Sequence, residues 1–484
     1  MDKTQPTNIN VTLVDLNNFA HYPTLSMGLL ARYIRDFGFN LKVISPLSNG
    51  IKSRKREKVE TIIDYYKTRL IFSQLKSIRR LITIAESIPL IKERFLNKGK
   101  LYKAVISAIK PDTDLVLIST YNENYSICKK ISEYLHKKGI PVIIGGPAFN
   151  DLKQVDQFLD ITGVSYVIGS EIDNYLGQML FDFFQEKDIT SYPGVYTKGV
   201  KKTPNSYIFK ELDQLPVPDF TDFAWDKYPN KIIPYMTGRG CSWGKCNFCS
   251  DVVLVNGRSY RSQTKEKILS DLKALSKQID THIIAFTDLK LNSNIQVWNA
   301  LIDGLPKIIE NPIWFCSVHV DDRNKNGLDF ETLKKAKEAG LTRMSFGLET
   351  ASQRLLDDMK KGTTVAKLDA FVNAAYKAGI SLRATMFIGY RGETAQDLKE
   401  TYEFLLKNQH CFERIKACRF QMYDMTPILD ELTPQEREQM FARQINHLYA
   451  TKDYIKYKKG ILKVVNKINS KRLNEAARAF DGVM

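Results

Sequence analysis

The sequence predicts an α/β protein with an N-terminal doubly wound, Rossmann-like sheet, then an open, TIM-like (βα)6 barrel, and a helical C-terminal tail. Three observations lead to this prediction. Short strands rich in Val and Ile alternate with amphipathic helices, which is typical of parallel sheets covered by helices. The alternation restarts with a different character near residue 232. The chain of 484 residues is also too long for one ordinary core.

The first part, residues 1–200, alternates five predicted strands with helices. The helix "LSMGLLARYIRDFG" follows the first strand and ends at Gly38. The predicted strands are Ile9–Leu16, Asn40–Pro46, Asp114–Thr120, Pro141–Pro147 and Ser165–Glu171. Such sheets bind ligands at the carboxyl ends of their strands. Those ends carry the loop Asn17–Thr24, Ser119, Gly145 and Gly146.

Six strand–helix units of roughly 30 residues make up the second part, residues 205–425, and predict a barrel with its chemistry on the loops after the strands. The predicted strands are Ile232–Thr237, His282–Thr287, Ile313–Val318, Thr342–Gly347, Leu382–Ile388 and Ile415–Gln421. In the tail, residues 426–484, Thr433 followed by Pro434 and Glu436 marks a helix start. We expect this tail to close the open side of the barrel or to cover a substrate.

Composition places the chain among water-soluble globular proteins, with 43% hydrophobic and 26% charged residues. No apolar run reaches the roughly 18 residues that a membrane span needs, and the polar start "MDKTQPTN" is unlike a signal peptide. We therefore expect a cytoplasmic location. In that reducing compartment, seven cysteines favour metal ligands and free thiols over disulfides.

The formal charge of +17 is concentrated in residues 51–110, which hold sixteen Lys and Arg against five acids. Apolar residues recur there at helical spacing, so we interpret the segment as a basic helical insertion in the first part. Its charge fits a solvated helical face, and it also fits an acidic partner or RNA. Because the chain shows no RRM or KH signature, a nucleic-acid partner is not expected.

Three cysteines crowd into "GRGCSWGKCNFCSD", residues 238–251. Zinc takes four closed ligands, or three and a water, and the histidine nearest to Cys241, Cys246 and Cys249 in sequence is the distant His282. A [4Fe–4S] cluster held by three thiolates leaves one iron free for another ligand. The spacing favours the cluster, with a structural zinc knuckle as the alternative. Arg239 and Lys245 are expected to offset its negative charge.

These motifs resemble the radical S-adenosylmethionine (SAM) superfamily. Its usual pattern is Cys-x3-Cys-x2-Cys with an aromatic residue before the last cysteine. This chain has Cys-x4-Cys-x2-Cys, with Phe248 as the aromatic residue. The segments "MSFGLETASQRLLDDMKKGTT" and "ATMFIGYRGETAQDLKET" are similar to the motifs of the fourth and fifth barrel strands, although Arg391 replaces the usual proline.

The resemblance implies a [4Fe–4S] cluster on the three cysteines and a SAM site beside it. Glu349 would contact the ribose or methionine part of SAM, and Lys361 its carboxylate. The full implied set of SAM contacts is Phe248, His319, Glu349, Lys361, Arg383 and Thr385. His319 would touch the amine and Thr385 the ribose, whereas Arg383 shares a strand face with Thr385. The alternative for each is an ion pair or a barrel-core contact. Thr394 and Asp397 are expected to form only a helix cap.

The first part resembles the cobalamin-binding domain of one branch of these enzymes, through "HYPTLSMGLLARYIRDFGF", Ser119 and "GGPAFN". The resemblance implies that Ser119, Gly145 and Gly146 lie along cobalamin. The axial-histidine signature Asp-x-His-x-x-Gly is absent, since the chain reads "DLNNFAHYP" there. Cobalamin without a protein imidazole is therefore expected, with His21 as the alternative ligand. A purely structural sheet is the other interpretation.

The function that the resemblance implies is reductive cleavage of SAM and cobalamin-dependent methylation of an unactivated carbon in a peptide or small natural product. A flavodoxin or ferredoxin would supply the electron. Two alternatives stand beside it. One is a radical SAM rearrangement, cyclisation or oxidation, with or without cobalamin. The other is an RNA-binding or tRNA-modifying protein that uses the basic insertion.

Overall fold

The structure is a computed structural model. It describes residues 8–16, 22–46, 49–51, 59–73, 75, 77–78, 80–81, 84, 99–200, 203, 207–228, 230–251, 259–422, 426–436 and 451–471. His21 and most of the predicted corrin loop lie outside these residues, as do much of the basic insertion and parts of the tail.

The N-terminal sheet has six strands in the order β2-β1-β3-β4-β5-β6, parallel except for the last pair. The strands are β1 Asn10–Asp15, β2 Asn40–Ile44, β3 Leu115–Ser119, β4 Val142–Gly145, β5 Val164–Ile168 and β6 Val195–Tyr196. The helices with it are α1 Leu25–Asp36, α2 Ile62–Ile71, α3 Tyr125–His136, α4 Leu152–Leu159 and α5 Leu176–Phe184. All five predicted strands are present, whereas the two-residue β6 was not predicted because it is too short to show a pattern.

Both faces of this sheet are buried, which explains its continuous Val and Ile runs. Val11 and Leu13 pack in one hydrophobic cluster, while Val14 packs in the cluster on the other face. Leu117 and Ile118 of β3 divide between the two clusters in the same way. The predicted doubly wound fold is thus confirmed.

The second sheet is an open barrel of six parallel strands in the order β14-β13-β12-β11-β10-β7. Strands of this part are β7 Ile233–Tyr235, β8 Gly238–Arg239, β9 Arg261–Ser262, β10 Ile283–Phe286, β11 Ile313–Val318, β12 Leu341–Glu349, β13 Ser381–Ile388 and β14 Arg414–Arg419. Its helices are α6 Lys265–Ile279, α7 Ile295–Ile308, α8 Phe330–Glu338, α9 Gln353–Asp358, α10 Val365–Lys377, α11 Ala395–Asn408 and α12 Lys452–Asn469. Every predicted barrel strand is present, with ends that shift by no more than two residues.

Side-chain caps begin the barrel helices where the sequence indicates. Thr394 and Asp397 form the predicted capping box at the start of α11, and Asp397 also accepts a hydrogen bond from Ser352 at 2.6 Å. Thr433 and Glu436 exchange the hydrogen bonds of a second capping box, as predicted for the tail.

A buried charge network joins the two sheets. Glu171 and Asp173 follow β5, and they face the arginines of the short β8–β9 pair. Arg239 binds Asp173 through two nitrogens at 2.6 and 2.9 Å. Arg261 binds Glu171 through two nitrogens at 2.8 and 3.1 Å. Because bidentate geometry satisfies both partners of each pair, this network fixes the first sheet beside the start of the cysteine loop.

The tail helix α12 covers the barrel's edge strand β14. The Asn469 side chain accepts a hydrogen bond from Ile415 N and donates one to Ile415 O, both at 2.9 Å, and so occupies the strand edge as another strand would. At the other end of α12, Tyr454 donates to the buried Glu393 at 2.7 Å. Helix α2 of the insertion lies against α12, with Asn466 and Asn469 both donating to Glu60.

Among the described helices, none has both the length and the apolar character that crossing a bilayer requires.

We predict that Glu171→Gln lowers the free energy of unfolding by about 3 kcal/mol, because it leaves the buried Arg261 without its charged partner. Urea denaturation of the apoprotein measures this loss. The control is Arg32→Met, which breaks the half-exposed pair with Asp36 and should cost no more than about 0.5 kcal/mol. Equal losses in the two variants would show that the network does not stabilise the fold.

Candidate functional site

One cavity of about 1170 Å³ opens inside the barrel. Its volume exceeds the roughly 300–1,000 Å³ of a single ligand site, so it has room for more than one group. All nine residues predicted for the cluster and SAM line it: Cys241, Cys246, Phe248, Cys249, His319, Glu349, Lys361, Arg383 and Thr385. The structure therefore brings these residues together from the cysteine loop, β11, β12, the segment after α9, and β13.

Asp288, after β10, anchors the entry to the cysteine loop. Its carboxylate accepts hydrogen bonds from the Thr237 hydroxyl at 2.7 Å, from Thr237 N at 3.1 Å and from Gly238 N at 3.0 Å. Burial raises the pKa of Asp288 to about 6, against the opposing effect of these donors. Because three donors converge on one fixed carboxylate, the backbone enters the loop in a defined direction.

Two further side chains fix the loop between its cysteines. The Trp243 indole donates to the Lys360 carbonyl at 2.7 Å, and its ring lies where a Cβ at Gly362 would be, 2.2 Å away. Asn247 is fully buried and donates to the Asp358 carbonyl at 2.9 Å and to Glu431 at 3.0 Å. The loop is thus held against the end of α9 and the start of the tail.

None of the seven cysteines, all of which lie in the described part of the chain, forms a disulfide. Burial raises the pKa of Cys246 to about 11, and the nearby Lys361 ammonium opposes the shift. Within the described ranges, no three His, Cys, Asp or Glu side chains converge on a point where a single metal ion would bind. A cluster does not need such convergence, because each thiolate binds a different iron. The donor set, three thiols along one cavity wall, fits a cluster with one open iron.

Glu349 and Lys361 form a buried ion pair in the cavity wall, with Lys361 Nζ 2.9 Å from Glu349 Oε1. Glu349 has a left-handed backbone, φ +57°, at an irregularity in the pairing of β12 with β13. A Cβ at Gly347 would lie 2.0 Å from Glu349 Oε1, so only glycine leaves room for this carboxylate. Its Oε2 is buried and has no hydrogen-bond partner in the described part of the chain.

Buried acceptors normally have a hydrogen-bond partner. A donor group of a ligand in the cavity, such as a hydroxyl or ammonium of SAM, could therefore bind this second oxygen. Burial alone would lower the pKa of Lys361, yet the charge of the Glu349 carboxylate outweighs it and raises the pKa. Lys361 also lies over the ring of Phe248, 5.7 Å from its centroid. The ammonium is therefore fixed beside the thiols as a permanent positive charge.

His319 has protein neighbours at both ring nitrogens. Nε2 is 3.0 Å from the Lys361 carbonyl, and Nδ1 is 3.3 Å from the Lys290 ammonium. Burial, followed by the charges of Lys361 and Lys290, holds the pKa of His319 well below its usual value. A neutral imidazole that donates through Nε2 and accepts through Nδ1 satisfies both contacts. His319 thus positions the Lys361 segment, and neither ring nitrogen is left for the SAM amine.

Arg239 was expected to offset the negative charge of the cluster, but its guanidinium pairs with Asp173 of the N-terminal part. The charge that sequence reasoning assigned to the cluster is thus neutralised within the protein. Lys245 lies over the Trp243 ring, 5.0 Å from its centroid. The cation that the structure does place beside the thiols is Lys361.

The strand ends of the N-terminal sheet are level with one another. Asp15, Ser119, Gly145 and Ile168 are successive register partners across β1, β3, β4 and β5. A Cβ at Gly145 would meet Ile168 atoms only at ordinary contact distances, 3.7 Å or more. The backbone at Gly145 is thus open to close approach by a ligand such as the tail of a corrin.

Gly146 has a different requirement, because its φ is +141° and a Cβ there would lie 2.1 Å from the Thr120 carbonyl oxygen. Close packing of the backbone demands this glycine whether or not a ligand binds. The turn interpretation therefore accounts for Gly146, whereas Gly145 keeps the cofactor interpretation.

Sequence reasoning missed Trp243, Asn247 and Asp288 as anchors of the loop. Asn247 and Trp243 stand inside the cysteine motif, so their position was a usable signal. Asp288 directly follows a predicted strand, where barrel side chains are functional. Helix α2 also contributes to the cavity wall, through Asp64, Lys67 and Thr68. Nothing in the sequence indicated this contribution, because a helical pattern does not show which face turns inward.

Residues 235–405 match the sequence profile of the radical SAM superfamily. The matched segment includes all three loop cysteines, Glu349 and Lys361. The chain therefore carries a radical SAM domain, which implies a [4Fe–4S] cluster and SAM. The resemblance inferred from the motifs is confirmed.

Beyond this domain, the fold as a whole is shared with cobalamin-dependent radical SAM enzymes. The methyltransferase TsrM of Kitasatospora setae superposes with a TM-score of 0.61 over 88% of this chain and 76% of that chain, at 16% identity. The cobalamin-dependent enzyme OxsB superposes with a TM-score of 0.60 over 93% of this chain and 56% of that one, at 17% identity.

Sequence relatives match over a shorter region. An uncharacterized methyltransferase of Pyrococcus horikoshii is 28% identical over 214 residues, 43% of this chain and 44% of that protein. The anaerobic magnesium-protoporphyrin IX monomethyl ester cyclase of Rubrivivax gelatinosus is 28% identical over 209 residues, 42% of this chain and 36% of that protein. The chain thus spans less than half the length of these relatives.

We predict that anaerobic reconstitution loads about four irons per chain and gives broad absorption near roughly 400 nm, as thiolate-ligated clusters do. Replacing Cys241, Cys246 and Cys249 together with Ala should abolish both signals. The matched control replaces the buried Cys128, Cys316 and Cys411 with Ala, which should leave iron binding intact in the folded protein. Stoichiometric zinc in the wild type, with no iron bound after reconstitution, would instead support the zinc knuckle.

Proposed function

We propose that the protein is a cobalamin-dependent radical SAM methyltransferase that acts on an unactivated carbon of a peptide or small natural product. The observation that carries the proposal is the single cavity, where the three thiols, the Glu349–Lys361 pair and the inner faces of β11 to β14 meet. The shared fold with TsrM, a methyltransferase whose structure has cobalamin and a [4Fe–4S] cluster bound, supports it.

In this proposal Cys241, Cys246 and Cys249 hold the cluster, and the fixed loop keeps their thiolates along one wall. The cofactors supply, when bound, an electron for cleaving the sulfonium of SAM and a carrier for the methyl group. Lys361 and the free oxygen of Glu349 orient SAM through one cationic donor and one anionic acceptor. Because both groups are buried, their electrostatic interactions are stronger than they would be in water.

The chain's remaining task is to hold a substrate carbon beside SAM while excluding bulk water. Phe248 and Phe387 pack edge to face, with ring centroids 5.3 Å apart, on the cavity wall. Thr385 exposes its hydroxyl to the same space, at the register level next to Glu349. These contacts suit a SAM nucleoside between an apolar ring and a hydroxyl. A flavodoxin or ferredoxin is the proposed electron donor.

For cobalamin, the aligned ends of the N-terminal strands supply the proposed site. Ser119 and Gly145 present a small side chain and an open backbone at neighbouring strand ends. Tyr22, just before α1, packs beside Ile232 and Phe315 of the barrel part. This contact between the two parts supports a corrin held near the cavity rather than at a remote surface.

The Gly145→Val variant tests the cobalamin part of the proposal. Wild-type protein produced with cobalamin uptake should co-purify with corrin, and the variant should lose corrin while it keeps iron, because the new methyl groups occupy the approach to the strand end. Corrin absorption and iron analysis measure the two contents. Gly99→Val is the control, since a Cβ there meets no atom within 4 Å.

Methyl transfer from labelled SAM should disappear in Gly145→Val together with the corrin. A wild-type protein that turns over its substrate fully without ever binding cobalamin would rule out the methyltransferase proposal. The alternative hypothesis, a radical SAM rearrangement, cyclisation or oxidation, would then replace it.

A further inference from the structure

The insertion helix α2 packs Tyr65 and Ile71 against the core, but it also turns polar side chains toward the cavity and leaves apolar ones exposed. Glu60, Asp64, Lys67 and Thr68 line the cavity. The apolar Ile62 and Ile63, by contrast, are each 62% exposed. A surface helix normally buries its apolar stripe, so here the polar face has been placed against the cavity. This arrangement makes α2 one wall of the radical SAM site.

The neighbouring wall, joined to the α2 wall through Asn469, is strongly basic. Arg383 of β13 is the register partner of Arg414 of β14, and Thr385 is the partner of Lys416. Residues two apart on a strand share a face, and all four side chains line the cavity. The cationic groups therefore form one patch, which we call the basic patch. It lies next to Ile415 of β14, whose backbone N–H donates to the Asn469 side chain of α12.

The acids of the α2 wall are already engaged. Glu60 accepts from Asn466 and Asn469, and Asp64 accepts from the Thr61 backbone at 2.9 Å and from its hydroxyl at 2.8 Å. In the basic patch, Arg414 is 6% exposed, and its two terminal nitrogens donate to the Glu413 carbonyl at 2.7 Å and to the Lys471 carbonyl at 3.0 Å. Its Nε has no hydrogen-bond partner in the described part of the chain. Lys416 is exposed to the cavity.

The basic patch lies nearer the amino ends of the barrel strands than the Glu349–Lys361 pair does. Glu349 is level with Met386 and Ala417 in the sheet register, so Arg414 lies three residues nearer the amino ends of the strands. At about 3.3 Å per residue this separation is roughly 10 Å along the strand. One molecule of moderate size can therefore place an anionic group at Arg414 and Lys416 and a reacting carbon beside SAM.

We propose that Arg414 and Lys416, with Arg383 behind them, bind an anionic group of the substrate, a carboxylate or a phosphate. The proposal rests on the proposed function, since it names the substrate class of that site. It also moves Arg383 from the SAM contacts to the substrate. A guanidinium and an ammonium together provide the charge-assisted donors that such oxyanions need.

The Lys416→Met variant tests the proposal, because it keeps the length of the side chain and removes only the charge. Holoenzyme is incubated anaerobically with cell extract and methyl-labelled SAM. The labelled wild-type product should be retained by an anion exchanger at neutral pH. At limiting extract the variant should incorporate roughly tenfold less label, the loss of one charge-assisted contact. Lys377→Met, at the end of α10 outside the cavity, is the control and should match the wild type.

Two treatments of the labelled product distinguish the anionic groups. Phosphatase should abolish retention of a phosphate, whereas carbodiimide coupling to a neutral amine should abolish retention of a carboxylate. A labelled product that passes through the exchanger would overturn the inference and leave the proposed function standing.

A second measurement does not depend on turnover. Succinate and inorganic phosphate are added to the holoenzyme, and the thermal unfolding midpoint is recorded. At least one probe should raise the midpoint of the wild type more than that of Lys416→Met. Equal shifts of the midpoint in the two proteins would overturn the inference, whether or not methyl transfer is found. Absence of methyl transfer would contradict the proposed function instead.

Discussion

The buried charge network between β5 and the β8–β9 pair is the constraint on which the site depends. Arg239 stands two residues before Cys241, and its bidentate partner Asp173 belongs to the other sheet. Neither group could remain buried and charged without the other. The start of the cysteine loop is therefore fixed to the first sheet as well as to Asp288 of the barrel. Any ligand at the ends of the N-terminal strands and any cluster on the thiols would therefore be connected through this network.

The cavity wall contains a strained backbone conformation and two buried charges, and neighbouring residues stabilise both features. Glu349 holds a left-handed conformation, which costs on the order of 1–3 kcal/mol in a residue other than glycine, and a bare Gly347 makes room for it. The pair with Lys361 offsets the burial of both charges, and His319 holds the Lys361 carbonyl in place. Such strain is maintained only where the surrounding contacts define the geometry. Here they hold a buried carboxylate whose Oε2 has no hydrogen-bond partner among the described residues, in the wall of the cavity that the thiols also line.

The N-terminal sheet was predictable from the sequence, because both of its faces are covered and Val and Ile recur along its strands. The long barrel strands β12 and β13 carry no such run, and their resemblance to family motifs indicated them instead. The cysteine motif was predictable from its local spacing, whereas Glu349 was indicated only by the resemblance of its segment to a family motif. Tertiary placement was not predictable. Arg239 looked like a partner for the cluster, because a sequence does not show that Asp173 lies opposite. Helix α2 had a helical period, but nothing in that period indicated that its polar face would line the cavity. Gly145 and Gly146 are adjacent in sequence, and only the contact with Thr120 separates their roles.

The most direct test of the central claim, that one cavity holds both cluster and SAM, is electron paramagnetic resonance of the dithionite-reduced, reconstituted protein with and without SAM. The account predicts a reduced-cluster signal in the wild type whose g values change when SAM is added, because SAM reaches the open iron. In Glu349→Ala the cluster signal should remain, and the change should require roughly tenfold more SAM, the loss of one charge-assisted hydrogen bond. A cluster signal that SAM leaves unchanged in the wild type, or that responds equally in both proteins, would contradict the account.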